Sequence, residues 1–331
     1  MTYTSKRQLL AAAAWAGLGV LALCGMPAHG QDFPTKPVRI LTPFPVGSGP
    51  EGLLRLVADK LSRMWGKPVV VENKPGGNGF IAIDTFKRGA SDGHDLIQLD
   101  GVHLSAYPHL FKKLPYDAKA DFEPLLPLFK TYFFVTVATD SPYKTVANLV
   151  ADAKTNPGKL NYGSWSVGNP VHLGSALFES VTGTDMQHVI YKETSMLYSA
   201  VATGELSFAL GTNATAGAMY RAGKVRYLAV AAPKRVNGFP NVPTMGESGG
   251  PQGFEVSGWT TIAAPRGLPK ALTEKIQRDI EKALAEPDVR EKFASFAYEP
   301  FVVNREQFNA YIQAESNRFG AIIKKAQVSL D

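Results

Sequence analysis

Arg39-Ile-Leu-Thr-Pro-Phe-Pro-Val-Gly-Ser-Gly-Pro-Glu-Gly52 joins a short apolar run to an amphipathic one. Val38 to Leu41 reads as a buried strand. Pro50 to Trp65 reads as a helix, because Leu53, Leu54, Val57, Leu61 and Met64 recur on one stripe. Between them, Gly47, Ser48 and Gly49 let the backbone turn sharply and leave amide N–H groups uncovered. Pro50 suits the first helical position, where its missing N–H costs nothing. Strand, glycine turn and helix N-terminus together form an anion site, since unpaired N–H groups and the helix dipole point at one place. Three readings are open. Gly47-Ser-Gly49-Pro-Glu-Gly52 is a literal G-x-G-x-x-G. Glu72, after a second strand at Val69 to Val71, stands where the ribose acid of a dinucleotide fold would. The same loop can hold a small carboxylate in a solute-binding protein, or it can be an ordinary strand-to-helix turn. Pro43 and Pro45 weigh against the dinucleotide, because they impose an extended entry where its strand should run straight into the first glycine.

Working outward, strands and helices alternate. Asn73 to Gly79 is a loop, Phe80 to Arg88 a helix, Ser91-Asp-Gly93 a turn and Asp95 to Asp100 a third strand. This spacing predicts a parallel, doubly wound α/β sheet, with ligands at the carboxyl ends of its strands. Leu125 to Thr139 is too long for an ordinary strand, and it reads as a segment leaving one domain and entering another. A second strand-loop-helix unit runs from Lys159 through Ser164-Trp-Ser-Val-Gly-Asn-Pro-Val-His172, presenting a second helix N-terminus. Strands are predicted at His188 to Tyr191, Leu206 to Leu210 and Val225 to Ala231, with helices at Met196 to Ala202 and Ala214 to Arg221 between them. Glu255 to Ala264 reads as the return crossing. Helices opening at Leu268, Asp288 and Arg305 follow, with a short strand at Glu299 to Val303.

The chain has 331 residues, 45% hydrophobic and 19% charged, which suits one large or two medium globular domains with a sizeable core. Residues 1–30 read as an export segment. Lys6 and Arg7 precede the apolar run Leu9 to Leu23, and Ala28-His-Gly30 is a small-x-small site that places cleavage before Gln31. The alternative is lipidation at Cys24. Cleavage would remove the only cysteine, leaving no thiol chemistry or disulfide. Soluble nicotinamide cofactors are not normally available outside the cytoplasm, which lowers the dinucleotide reading further. The net charge of +6 is mild and scattered; without a basic stripe of interleaved aromatics, nucleic acid is not expected as a partner. The six histidines lack metal-ligand spacing.

Ordered blocks across the mature chain carry a resemblance: Pro37-Val-Arg-Ile-Leu-Thr-Pro-Phe-Pro45 with Gly47; Pro68-Val-Val-Val-Glu-Asn-Lys-Pro-Gly-Gly77; Leu114-Pro-Tyr-Asp117; Asn156-Pro-Gly-Lys-Leu-Asn-Tyr162; His172-Leu173; Tyr191-Lys192; Ala222-Gly-Lys-Val-Arg226; Val242-Pro-Thr244; and Trp259 with Ala264-Pro265. Together they resemble the extracytoplasmic solute receptors of tripartite tricarboxylate transporters, the Bug or TctC-like family. The resemblance implies a type II periplasmic binding protein of venus-flytrap form: two doubly wound, Rossmann-like α/β domains joined by two crossover strands. Residues 31–130 with 256–331 would form one domain and 131–255 the other. It further implies a periplasmic, non-catalytic, monomeric receptor without cofactor, partnered by a small organic carboxylate and a transporter's membrane components. The ligand would lie between the loop Phe44 to Gly49, which includes Val46, Gly47 and Ser48, and the loop Ser164 to His172, which includes Trp165, Ser166 and Asn169. The chain departs from the family pattern at Pro45-Val-Gly-Ser-Gly49 and Glu51, at Ser166 and Asn169, at Gly211 and at Asp100; these changes bear on which ligand fits.

Asp100 ends the third strand. Facing the cleft, it would disfavour a second ligand carboxylate, and Trp165 or Tyr191 could stack on a ring; these residues favour a monocarboxylate with a polar or aromatic tail. Each candidate also has a plain structural reading. Asn169 is an N-cap before Pro170, Glu51 a complement to the helix dipole, His172 a packed helix residue and Tyr191 a sheet residue. Trp165 is core, Phe44 a cover for its loop, and Asp100 a cap on the turn at Gly101. The enzyme alternative is an exported serine hydrolase using Ser166, since Ser164-Trp-Ser-Val-Gly168 resembles G-x-S-x-G without its first glycine.

Overall fold

β1 (Val38–Thr42) runs through the glycine loop into α1 (Gly49–Trp65), and then come β2 (Val69–Asn73), α2 (Phe80–Lys87) and β3 (Asp95–Asp100). The computed structural model describes residues 33–326 and Leu330. The export segment 1–30, cleavage before Gln31 and lipidation at Cys24 fall outside the described residues. α1 is amphipathic as its spacing predicts: Leu53, Leu54, Val57 and Leu61 are buried. Met64 is not. It lies in the last turn and is 44% exposed.

The chain continues through α3 (Gly101–Ser105) and α4 (Tyr107–Leu110) to β4 (Phe122–Tyr132), which passes into β5 (Phe134–Ala138) with only Phe133 between. α5 (Val146–Thr155), β6 (Asn161–Ser164), α6 (Pro170–Thr182), β7 (Gln187–Ile190), α7 (Thr194–Ala202), β8 (Ala209–Gly211), α8 (Asn213–Arg221) and β9 (Val225–Val230) build the second lobe. β10 (Ser257–Pro265) returns to the first lobe. α9 (Lys270–Ala285), α10 (Pro287–Phe296) and α11 (Arg305–Ala326) complete it.

The first lobe's sheet has the order β2-β1-β3-β10-β4, and β2, β1 and β3 are parallel. The sheet expected to be parallel throughout is mixed. β10 runs antiparallel to both neighbours, from Ser257 opposite Tyr132 to Pro265 opposite Phe122 on the β4 side. In the second lobe β5 runs antiparallel to β8 and β9, while β6 and β7 pair in parallel and join at Tyr162 and Phe208. The reversed strand in each sheet is a crossing strand. A chain that leaves one sheet along its strand direction must come back the other way, so alternation of elements alone does not show the reversal. The strand expected at Glu299 to Val303 reduces to one bridge between Lys130 and Glu299, because Pro300 has no N–H to extend it. The strand expected from Leu206 begins at Ala209.

Leu41, Ile97, Leu99, Phe122, Trp259, Ala263 and Phe308 form a core under the first sheet. Val135, Val137, Tyr162, Phe178, Phe208 and Ala229 form one under the second. A smaller cluster joins Val102, Tyr107 and Leu110 of the first lobe to Leu173 of the second, so apolar packing reaches across the lobes.

Candidate functional site

The loop after β1 is organised by Glu51. Its carboxylate, 2% exposed, accepts the Gly47 N–H at 3.0 Å and pairs with Arg55 one turn along α1. Glu51 therefore closes the turn as well as standing in the helix's first turn. The Ser48 N–H donates to Pro45 O at 3.2 Å, so two of the loop's amides are engaged within the loop. The Ser48 Oγ is buried and has no partner among the described residues. Phe44 is half-buried and fixed by its backbone: its N–H donates to Thr42 Oγ1 at 3.2 Å and its carbonyl accepts from Asn73 Nδ2 at 2.9 Å. Val46, 73% exposed, stands on the outer rim.

The loop after β6 is organised by Asn169. Its Oδ1 accepts the N–H groups of Val171 at 2.8 Å and His172 at 3.0 Å, which makes it the N-cap of α6. Its Nδ2 donates to Ser164 Oγ at 3.1 Å and to Ser166 O. Ser164 Oγ lies 2.9 Å from Ser166 O and 2.7 Å from His188 Nε2. The Ser164 hydroxyl proton can serve Ser166 O, with His188 Nε2 donating to Oγ, or it can serve His188 Nε2, with Asn169 Nδ2 covering Ser166 O. His172 Nδ1 accepts the Gly168 N–H at 3.1 Å, which leaves its proton on Nε2. The two rings tilt against each other with centroids 4.3 Å apart. Burial holds both neutral: it lowers His172 to about 4, with a smaller push from His188, and lowers His188 as well. Among the described residues the Ser166 hydroxyl has a single 3.4 Å contact, with Asn169 Nδ2, and no histidine pairs with it as the hydrolase alternative using Ser166 needs.

Trp165 is half-buried and packs against both apolar clusters of the second lobe. The Tyr191 N–H donates to Ser164 O at 2.9 Å, which fixes the strand end, while its hydroxyl is held by Glu205 at 2.8 Å. Asp100 N-caps α3. Its Oδ1 accepts from the Val102 N–H at 3.2 Å, and His103 completes the capping box. Burial raises its carboxyl to about 6, partly offset by the Val102 N–H.

Both loops lie where the lobes meet. A Cβ at Gly49 would stand 2.4 Å from the Tyr298 hydroxyl of the first lobe and 2.7 Å from Ala214 Cβ of the second. A Cβ at Gly168 would stand 2.4 Å from Leu110 across the gap. Asn213 Nδ2, at the start of α8, donates to Ser295 O at 2.9 Å. Thr212 caps α8 through a capping box with Thr215. Three helix N-termini, those of α1, α6 and α8, thus open at the lobe contact, and the arrangement can offer N–H and hydroxyl groups to an anion. Sequence reasoning passed over Asn213, Ala214 and Tyr298. Nothing local marks them, because they come into play only through the packing of lobes far apart in sequence.

A family model described as "Tripartite tricarboxylate transporter family receptor" matches residues 53–328. The UPF0065 protein in the gbd 5′ region of Cupriavidus necator is 33% identical over 322 residues, covering 95% of this chain and 94% of that one. Among solved structures, R. palustris Rpa4515 with adipate superposes with a TM-score of 0.83 at 27% identity, covering 90% of this chain and 99% of that one. MatC from Rhodopseudomonas palustris with bound malate superposes with a TM-score of 0.79 at 26% identity, covering 88% and 100%.

Proposed function

The chain belongs to the tripartite tricarboxylate transporter receptor family, and on that premise we propose that it captures a small organic carboxylate between its lobes and delivers it to the membrane components of such a transporter. The observation that carries this reading is the meeting of two helix N-termini, α1 behind Ser48 and α6 behind Ser166 to Asn169, at the contact between lobes. Relatives of the same fold hold adipate and malate. The lobes are residues 31–130 with 256–331, and 131–255. They close on the ligand about the two crossing segments, as hinge proteins do. The protein works as a monomer in the periplasm after export and turns nothing over.

No arginine lies in either loop, so hydroxyl groups and the loop amides not already paired within the loops, such as that of Gly49, hold the carboxylate. Hydrogen bonds to an ionised group contribute about 1.5–3 kcal/mol each. A thermal-shift panel of carboxylates on the purified mature protein tests the reading. A ligand at 100 times its Kd should add about 2.7 kcal/mol of stability. Absence of any shift across mono-, di- and tricarboxylates, or ester hydrolysis abolished by Ser166→Ala, would overturn it.

A further inference from the structure

Asp100, Thr260 and Phe129 stand side by side across the first sheet, because β10 places Thr260 opposite Asp100 on one edge and opposite Phe129 on the other. Residues directly opposite on antiparallel strands share a face. Gln98, two residues before Asp100, identifies that face as the α1 side: its Nε2 donates to Pro50 O at 3.1 Å and its Oε1 accepts from Thr42 Oγ1 at 2.7 Å. Trp259, the neighbour of Thr260, points to the opposite side and packs on Phe308 and Tyr311. Tyr298 stacks on Phe129, ring centroids 3.8 Å apart, and carries its hydroxyl to Gly49 at the start of α1. The loop after β1 and this strip of β3 and β10 therefore meet at one corner of the cleft.

Two hydroxyls at that corner lack partners among the described residues. Thr260 is 3% exposed and its Oγ1 has no partner among the described residues; Ser48 Oγ, a buried atom of a partly exposed residue, has none either. Asp100 remains partly accessible, and its carboxylate receives the Val102 N–H. Buried hydroxyls and carboxylates in native proteins find partners, and these three can all accept a hydrogen bond. We propose that this corner is the specificity pocket for the far end of the ligand, with Asp100 as its determinant. It selects a carboxylate whose other end donates hydrogen bonds, as an ammonium or hydroxyl does, over one that ends in a second carboxylate. A donor end can bond the Asp100 carboxylate and either hydroxyl, whereas a second carboxylate, though the hydroxyls could donate to it, stands beside the Asp100 charge. The inference rests on the carboxylate reading of the cleft.

The test is calorimetric titration at pH 7.5 with matched series of three to six carbons: ω-amino, ω-hydroxy and α,ω-dicarboxylates. The wild type should bind the best donor-ended compound at least tenfold tighter than the dicarboxylate of equal length. Asp100→Asn, which keeps an equally good N-cap, should abolish or reverse that ratio. Thr260→Val removes an unpartnered hydroxyl at constant shape; it should weaken the donor-ended compounds while leaving the free protein as stable as before. A ratio that is the same in wild type and Asp100→Asn overturns the inference and leaves the carboxylate reading standing. Binding of none of these compounds, nor of adipate, malate or citrate, overturns the carboxylate reading and this inference with it.

Discussion

Gly49→Ala adds one methyl group at the point where the lobes touch, at a backbone position that any residue can adopt. The new Cβ would lie 2.7 Å from Ala214 Cβ and 2.4 Å from the Tyr298 hydroxyl. Carbon atoms in good contact sit about 3.5–4.0 Å apart, so the lobes are roughly 1 Å too close to admit it. Tyr298 cannot swing aside, because its ring is stacked on Phe129 at an interplanar angle of 3° and edged by Phe293 and Phe296. Overpacking of this kind costs about 1–3 kcal/mol. Tyr298→Phe separates the two clashes: it removes the hydroxyl, and the ring carbon behind it, at 3.5 Å, is an ordinary neighbour. In that background Gly49→Ala strains only the lobe contact. Denaturant melts should then show little further loss of stability. The Kd of the carboxylate found in the thermal-shift panel should rise roughly 5- to 150-fold, the same free energy expressed as binding. An unchanged Kd in the double variant would refute the idea that the ligand-bound state keeps Gly49 against Ala214.

Asn169→Ala removes the cap of α6 and the donor to Ser164 and Ser166; melts should register a loss of about 1–2 kcal/mol, together with weakened ligand binding. His172 is buried neutral with its value lowered to about 4. Below its ordinary 6.5 the unfolded chain takes up a proton that the folded chain refuses, so stability present above that pH is lost as pH falls toward 4. Melts at pH 7 and pH 5 should differ by roughly 2 kcal/mol more in the wild type than in His172→Asn. Gly168 has φ +84 and faces Leu110, so Gly168→Ala should destabilise the protein by more than the 0.4–1 kcal/mol or so that glycine replacement gains elsewhere. Lys130 on β4 pairs with Glu255 just before β10 at 2.9 Å, both partners partly exposed. Lys130→Met should therefore shift stability by no more than about 1 kcal/mol, and a larger loss would mean the pair is better shielded than its exposure indicates.

The two strand-loop-helix units were legible because each rests on local chemistry: an apolar run, a glycine or asparagine turn, and a helix stripe three and four residues apart. The crossing segments were legible as apolar runs too long for one strand. Their direction within each sheet was not, since antiparallel and parallel strands of a buried sheet share the same apolar composition. Asp100 shows the boundary well. Its place at the end of β3 follows from the sequence, and so does the turn it caps, whereas its neighbour Thr260 lies 160 residues away and is fixed only by strand register. Glu51 could have been read further, because a side chain in the first turn of a helix can reach back to the loop that precedes it; only the structure shows it taking the Gly47 N–H. The pairing of Ser164 with His188 rather than of Ser166 with His172 likewise arises from the adjacency of β6 and β7.

β4 and β10 are hydrogen-bonded to each other as far as Tyr132 and Ser257, and the Phe133 N–H still reaches Val256 O at 3.2 Å. Two separate tethers would let one lobe slide, twist or tilt against the other. A paired ribbon removes the slide, because moving one strand along the other would break every bond in the ladder at once and turn its side chains to the wrong face. What is left is bending just past the last paired residues, about a single axis. If the lobes close on a carboxylate as proposed, that restriction would make each closure return to the same alignment of the loops after β1 and β6.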